Sequence, residues 1–355
     1  MPFFSFCKQR FFMLLSALLL LMAAGVTVGA MTLNHWLYDP LPLVEDTVIR
    51  IQKGDNLSKV AYRLENEGVI NSARLLVLYA RATKQTTVKI GEYLLPKNSH
   101  RVSLLSLLQS DNVLSYKVTL VEGKTFQDFL LRLKSNEKIV STLNDDVGYP
   151  ELLRQLNIDL KHPEGWFFPD TYQFSAGITD VELLQQAHQR MQTVLAEEWD
   201  NRAESLPYQS AYEALIMASI IEKETGVAYE RPEIAGVFVR RLQKGMRLQT
   251  DPTIIYGLGK DYTGNIRRKH LRQKTPYNTY MIDGLPPTPI AMPGREAINA
   301  ALNPKEGNSL YFVAKGDGSH YFSATLVEHN RAVRKYQINK RAEQYRSSPP
   351  PASNQ

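Results

Sequence analysis

Cysteine is nearly missing from this sequence. Cys7 is the single one in 355 residues. No internal disulfide can form, and cysteine-based nucleophilic chemistry is not expected. Histidine is sparse, with seven scattered residues (His35, His100, His162, His188, His270, His320 and His329). None falls in an HExxH or comparable spacing, so neither a metal site nor another cofactor is expected. There is no arginine-rich block and no zinc finger. The formal net charge of +6 is spread along the chain; it gives weak attraction to anionic polymers or surfaces, and nucleic acid is not expected as a partner. Gly123-Lys124-Thr125 lacks the preceding glycine of a phosphate-binding loop.

Charge is missing altogether from residues 11–33, long enough to cross a bilayer. Lys8 and Arg10 precede this run, and Asp39, Glu45 and Asp46 follow it. The positive-inside rule then predicts a cytoplasmic N-terminus (residues 1–10), a transmembrane helix (11–33) and an exported remainder. Trp36 and Tyr38 are expected as interfacial anchors. A cleaved signal peptide with Val28-Gly29-Ala30 at the cut is the competing reading, disfavoured by the length of the run. No cysteine follows, which excludes a lipid-modified anchor.

What is present fits an α+β protein of two or three domains. Apolar residues make up 43% and charged ones 22%, a globular balance. After a linker at 34–46, residues 47–113 alternate short strands with amphipathic helices. Asp55 or Asn56 is expected to cap the first of these helices. The remainder, 114–341, reads as a larger mixed α+β domain. Thr125 is expected to cap a helix, and long helices are expected near 181–199, 212–225 and 234–242. A strand pair is expected at 310–314 and 320–323, the first strand buried, and a last helix at about 326–341. Residues 342–355, with a proline run, are expected to be disordered.

The stretch 215–226, LIMASIIEKETG, is an apolar helix ending in two carboxylates and a glycine. At about 100° per residue, Glu224 falls amid Ile216, Met217, Ile220 and Ile221. Glu222 falls on the other side, beside Leu215, Ala218 and Ser219. Apolar surroundings push a carboxyl towards its neutral form, able to donate a proton. The helix alone leaves open that both glutamates are solvated last-turn residues. Glu222 is open between a packing salt bridge and ligand contact. Met246 to Thr253 packs Arg247, Gln249, Thr250 and Asp251 into a short polar stretch, a composition typical of binding loops. Asp251 reads first as an N-cap for the segment starting at Pro252, ahead of a part in catalysis. Trp166, in an aromatic loop at 164–172, suits stacking on a sugar or core closure.

These motifs together resemble the endolytic murein transglycosylases of the MltG/YceG-like family. The resemblance rests on Glu164-Gly165-Trp166 with Pro169-Asp170-Thr171, on Ala218 to Thr225 and on Gly245 to Pro252. Tyr277-Asn278-Thr279-Tyr280 and Gly284-Leu285-Pro286-Pro287 complete it. The last of these departs from the family pattern in continuing as Thr288-Pro289-Ile290. Residues 47–113 resemble a LysM-like module, whose relatives bind glycans; a plain spacer domain fits the same pattern. The resemblance implies a single-pass inner-membrane enzyme with a periplasmic YceG-like catalytic domain. Its substrate would be nascent peptidoglycan, cut within the strand at the MurNAc–GlcNAc bond to leave 1,6-anhydro ends and terminate strands. It implies Glu224 as the catalytic residue and glycan strands as the partner, with peptidoglycan synthases as further candidates. Glu222, Arg247, Gln249, Thr250, Asp251, Tyr277, Asn278 and Trp166 are the candidate substrate-binding residues. The alternative is a membrane-anchored, non-catalytic glycan-binding scaffold.

Overall fold

Short strands and capped helices alternate throughout the chain, and the structure, a computed structural model, describes residues 3–339. The disorder expected at 342–355 and the last residues of the helix expected at 326–341 lie outside the described residues. Two units are distinguishable, one formed by residues 1–116 and 174–177, the other by 117–173 and 178–355.

The first unit begins with α1 (Phe3–Tyr38). Its part from Met13 to Tyr38 is apolar and long enough to cross a membrane. The helix does not stop at residue 33; the first residues of the expected linker are its last turn. Next come β1 (Thr47–Ile51), α2 (Leu57–Asn66), α3 (Ala73–Ala82), β2 (Gly91–Leu95) and α4 (Arg101–Gln109). Strands β1 and β2 pair antiparallel with Ile49 opposite Tyr93. Asn56 caps α2 by accepting from Lys59 N, and Ser72 caps α3 through Leu75 N. Val60, Ala61, Leu64, Ala73, Leu76 and Ala80 are buried with the strand residues in one core. The buried Arg101 donates to the carbonyls of Trp36 and Asp39 and to Asn71 Oδ1, and its guanidinium lies 4.8 Å from the Trp36 ring. Trp36 therefore packs on the folded part of this unit.

The chain leaves through β3 (Ser115–Thr119), which pairs with a later strand, β4 (Thr171–Ser175). Between them lie α5 (Phe126–Lys134) and α6 (Tyr149–Gln155). Thr125 and Asp128 form a reciprocal capping box at α5. The helices α7 (Asp180–Asp200), α8 (Ala211–Glu224), α9 (Arg231–Gln243), α10 (Asp251–Leu258) and α11 (Arg268–Arg272) follow. The order ends with α12 (Arg295–Leu302), β5 (Tyr311–Ala314), β6 (His320–Ser323) and α13 (Leu326–Val333), which widens into a π-helical stretch over Arg334–Asn339. Strand β5 is only half-buried apart from Val313, against the expectation of a buried strand.

The core of the second unit is built on α8. Every residue from Ala214 to Ile221 is buried, so the helix is enclosed on all sides. It packs against α12, and both helices are alanine-rich (Ala214 and Ala218; Ala297, Ala300 and Ala301). Small residues let helix axes approach closely. Ser219, the one hydroxyl in this run, is satisfied twice. It donates to Ile216 O at 2.7 Å and accepts from Ile290 N at 3.0 Å. The proline-rich loop before α12 is thereby fixed to α8.

Asp180 holds another long-range junction. Its buried carboxylate accepts from Thr142 N and Oγ1, Leu143 N, Ser141 Oγ and Val181 N. It lies in the first turn of α7, where the helix dipole favours negative charge. Replacing Asp180 by alanine orphans several buried donors. Urea denaturation of Asp180→Ala is expected to show a loss of about 3 kcal/mol with an unchanged m-value.

Candidate active site

Helix α8 ends at Glu224 because Thr225 turns extended (φ −143°, ψ 135°). The Glu224 carboxyl is half-buried and borders a cavity of about 610 Å³, a size within the ligand-pocket range. Lys223, Thr250, Asp251, Tyr280 and Arg241 line it from the α8–α10 side, and Tyr311, His320 and His329 from the β5–β6 and α13 side. Glu224 Oε1 accepts a hydrogen bond from Thr250 Oγ1. Burial raises its pKa to about 7; the Thr250 bond opposes this and the nearby Asp251 charge adds to it.

The loop before α10 delivers Thr250. Thr250 N donates to Thr279 Oγ1 at 3.0 Å, and Gln249 N donates to Thr279 O at 3.2 Å. Gln249 sits at φ 53°, in the left-handed region that non-glycine residues seldom occupy. Arg241 grips the carbonyls just before it, donating from Nη1 to Arg247 O (3.1 Å) and Leu248 O (2.8 Å), and from Nε to Leu310 O (2.7 Å). Thr250 is the N-cap residue of α10, with Asp251 and Pro252 its first two positions. Asp251 is thus one place inside the helix rather than its cap. Asp251 Oδ1 accepts from Tyr280 OH at 2.7 Å. Burial and this carboxylate both hold the Tyr280 phenol neutral, so it remains a donor.

Of the residues nominated from sequence, Glu224, Gln249, Thr250 and Asp251 border this cavity. The others make different contacts. Glu222 Oε2 accepts from Gly294 N at 3.0 Å at the start of α12, and Oε1 lies 3.6 Å from Arg231 Nη2. Burial raises the Glu222 pKa, while the Gly294 bond and Arg231 lower it. A carboxylate suits that helix N-terminus. Arg247 bonds Asp283 Oδ1 (2.9 Å) and Tyr280 O (3.1 Å). Trp166 stacks on Tyr212 with centroids 5.6 Å apart. Tyr277 bonds Thr288 and meets Tyr256 edge-on.

Asn278 is 1% exposed. It donates to the carbonyls of His270 and Gln273 and accepts from Tyr280 N. It shapes the turn that presents its neighbours Thr279 and Tyr280. Sequence reasoning chose Tyr277 and Asn278 from this motif and missed those two neighbours. It also missed Arg241, Tyr311, His320 and His329, which reach the cavity only through the tertiary fold.

A second buried acid tests whether titration alone identifies the site. Glu164 is 1% exposed and its pKa is raised by burial to about 7. Its oxygens are spent on Phe126 N (2.9 Å), at the start of α5, and Tyr256 OH (3.0 Å), on α10. It ties two helices to the aromatic loop. Glu224 differs in access, because its side chain borders an open cavity.

The profile of the YceG-like family matches residues 49–335. The chain belongs to the YceG-like family. Among curated relatives of this YceG-like chain is the endolytic murein transglycosylase of Bacillus subtilis (strain 168). It is 31% identical over 331 residues, covering 87% of this chain and 90% of the relative. The protein of the same name from Streptococcus pneumoniae (serotype 2, strain D39) is 28% identical over 320 residues. That match covers 80% of this chain and 57% of the relative, so this chain spans under two thirds of that longer protein. A crystal structure of a yceG-like protein from Listeria monocytogenes superposes with a TM-score of 0.51 at 30% identity. It covers 81% of this chain and 99% of that one.

The raised pKa of Glu224 has a definite sign in stability. Its folded value of about 7 lies above the ordinary 4.5. The protonated carboxyl therefore favours the fold fully below pH 4.5, and that contribution is lost as pH rises through 7. Glutamine does not titrate. Urea denaturation is expected to show Glu224→Gln gaining on the parent between pH 4.5 and 7, by on the order of 2 kcal/mol at pH 8.

Proposed function

We propose that this chain is a membrane-anchored endolytic peptidoglycan lytic transglycosylase. It would cleave MurNAc–GlcNAc bonds within nascent strands, leave 1,6-anhydro ends and so terminate strand growth. The carrying observation is the Glu224 carboxyl at the edge of a ligand-sized cavity, with Thr250 donating to it. The names of the relatives from Bacillus and Streptococcus support the substrate class.

A carboxyl with a pKa near 7 is matched to proton transfer at neutral pH. Glu224 protonates the glycosidic oxygen as the bond to the muramyl C1 breaks. The resulting carboxylate then takes the proton of the muramyl C6 hydroxyl, which attacks C1 and closes the anhydro ring. The proton goes out and returns, and no water is consumed. Thr250 steadies the carboxylate between the two steps. Gln249, Asp251 and Tyr280 supply polar contacts along the wall. Glu222 and Asn278 support the site by fixing α12 and the 278–280 turn.

Asp251 borders the same cavity as a second carboxylate, which favours a hydrolase as the alternative chemistry. Its engagement with Tyr280 OH supports a positioning role instead. The strand–helix–helix–strand order of β1, α2, α3 and β2 supports a LysM-like module at 47–113, followed by a YceG-like catalytic domain at 114–341. The charge difference across α1 supports a cytoplasmic N-terminus, an inner-membrane span and a periplasmic catalytic domain. That placement would bring the site beside the enzymes that polymerise glycan.

Digestion of intact sacculi tests this reading. Mass spectrometry is expected to show anhydro-ended fragments, lighter by one water than hydrolysis products. Glu224→Gln is expected to lower their release by about a thousandfold; unchanged release rejects the assignment. Cleavage rate is expected to fall as pH rises above about 7, where the acid loses its proton. Thr250→Val removes a bond that favours the carboxylate, so that descending limb should move to higher pH.

A further inference from the structure

His320 and Glu230 form a buried pair that the mechanism above does not use. Glu230 lies in a 3-10 turn at Ala228–Glu230, after α8, and His320 opens β6. Their side chains are 6% and 7% exposed. The two carboxylate oxygens have separate tasks. Oε1 accepts from the backbone N of His320 at 2.9 Å, and Oε2 lies 2.7 Å from its Nδ1. A carboxylate only accepts, so Nδ1 carries the hydrogen. Phe312 meets the imidazole edge-on, 5.4 Å between centroids, and Phe322 lies 6.4 Å away. Ring plane and tautomer are therefore both fixed.

His320 also lines the cavity that Glu224 borders. With Nδ1 committed, Nε2 is the nitrogen left to meet a ligand. In the neutral ring it presents a lone pair. We infer that His320 is a substrate-binding residue of this cavity, whose Nε2 accepts a hydrogen bond from a sugar hydroxyl of the bound glycan. Glu230 is its positioning residue, and sets the tautomer that makes Nε2 an acceptor. Fixing a side chain through a second group holds its geometry within the narrow range that binding and chemistry need. The inference rests on the cavity being the glycan site.

Two substitutions separate this role from a structural tie. His320→Asn keeps an N–H where Nδ1 was and leaves nothing where Nε2 was. Glu230→Gln keeps the size but has one acceptor atom where the carboxylate has two. Its carbonyl takes the backbone N–H and its amide donates to Nδ1, which moves the ring hydrogen to Nε2 and turns the acceptor into a donor. The full chain in detergent would be titrated with a tetrasaccharide of alternating N-acetylglucosamine and N-acetylmuramic acid. Calorimetry in the Glu224→Gln background leaves that glycan uncut. Either change is expected to raise Kd at least tenfold with an unchanged unfolding midpoint. With Glu224 intact, kcat/KM should fall at least tenfold. Parent-like affinity and cleavage in His320→Asn overturn the inference. If His320→Asn shifts the unfolding midpoint, Glu230→Gln decides alone, and retained affinity overturns it. Cleavage by Glu224→Gln at the parent rate would instead reject the catalytic reading, and the kcat/KM comparison with Glu224 intact would still judge His320.

Discussion

Helix α8 is core along most of its length and meets a cavity at its last residue. From Ala214 to Ile221 it is surrounded by other elements, and its last residue, though half-buried, is still desolvated by that packing. Desolvation penalises the charged form of Glu224 and moves its pKa towards neutrality. The same packing that stabilises the unit therefore sets the proton affinity of its acid. Moving α8 outward would hydrate the carboxyl and return it to ordinary acidity. The hydrogen bond from Thr250 opposes burial enough to leave a carboxyl able to both give and take a proton.

Thr250 owes its place to a chain of weaker constraints. Arg241 holds the carbonyls of Arg247 and Leu248, and Gln249 adopts a left-handed turn. Left-handed backbone at a non-glycine residue persists where its surroundings fix it. Here those surroundings include the Arg241 guanidinium and the Thr279 backbone and hydroxyl. Comparison with Glu164 shows what the loop contributes. Both acids are moved towards neutrality by burial, yet Glu164 is consumed in joining α5 and α10. Access to ligand, more than titration, separates an acid that builds the fold from one that can act in it.

Local signals were readable from the sequence. Asn56 and Thr125 cap helices where a side-chain oxygen precedes an apolar run, and both caps form within three residues. The apolar helix ending in Glu222 and Glu224 was readable as a local pattern, but that pattern left the roles of both acids open, and the family resemblance chose Glu224. From sequence the start of helix α10 reads one residue late, with Asp251 as the cap of a segment starting at Pro252 where Thr250 is the N-cap. Proline in a first turn loses no intrahelical bond and so fits either start. Asn278 and Thr279 are both buried, and Thr279 serves the site through its bonds to the backbone of Gln249 and Thr250, which no local pattern announces. Arg241, His320 and His329 carry no local mark; their position depends on β5 packing against α9 and on α13 packing against β5 and β6. Residues 34–38 read as linker because polar and aromatic residues replace the apolar run, although helix α1 continues through them.

That continuation alters the mechanics of the anchor. Helix α1 has 36 residues, about 54 Å at the helical rise, well beyond a hydrocarbon thickness of about 30 Å. Arg101 clasps its end through the Trp36 and Asp39 carbonyls. A helix built this way is a stalk, with little slack between its apolar stretch and the first folded unit. Force applied to that unit would pass straight into the helix, and helix length would set how far the unit stands from whatever holds the apolar stretch.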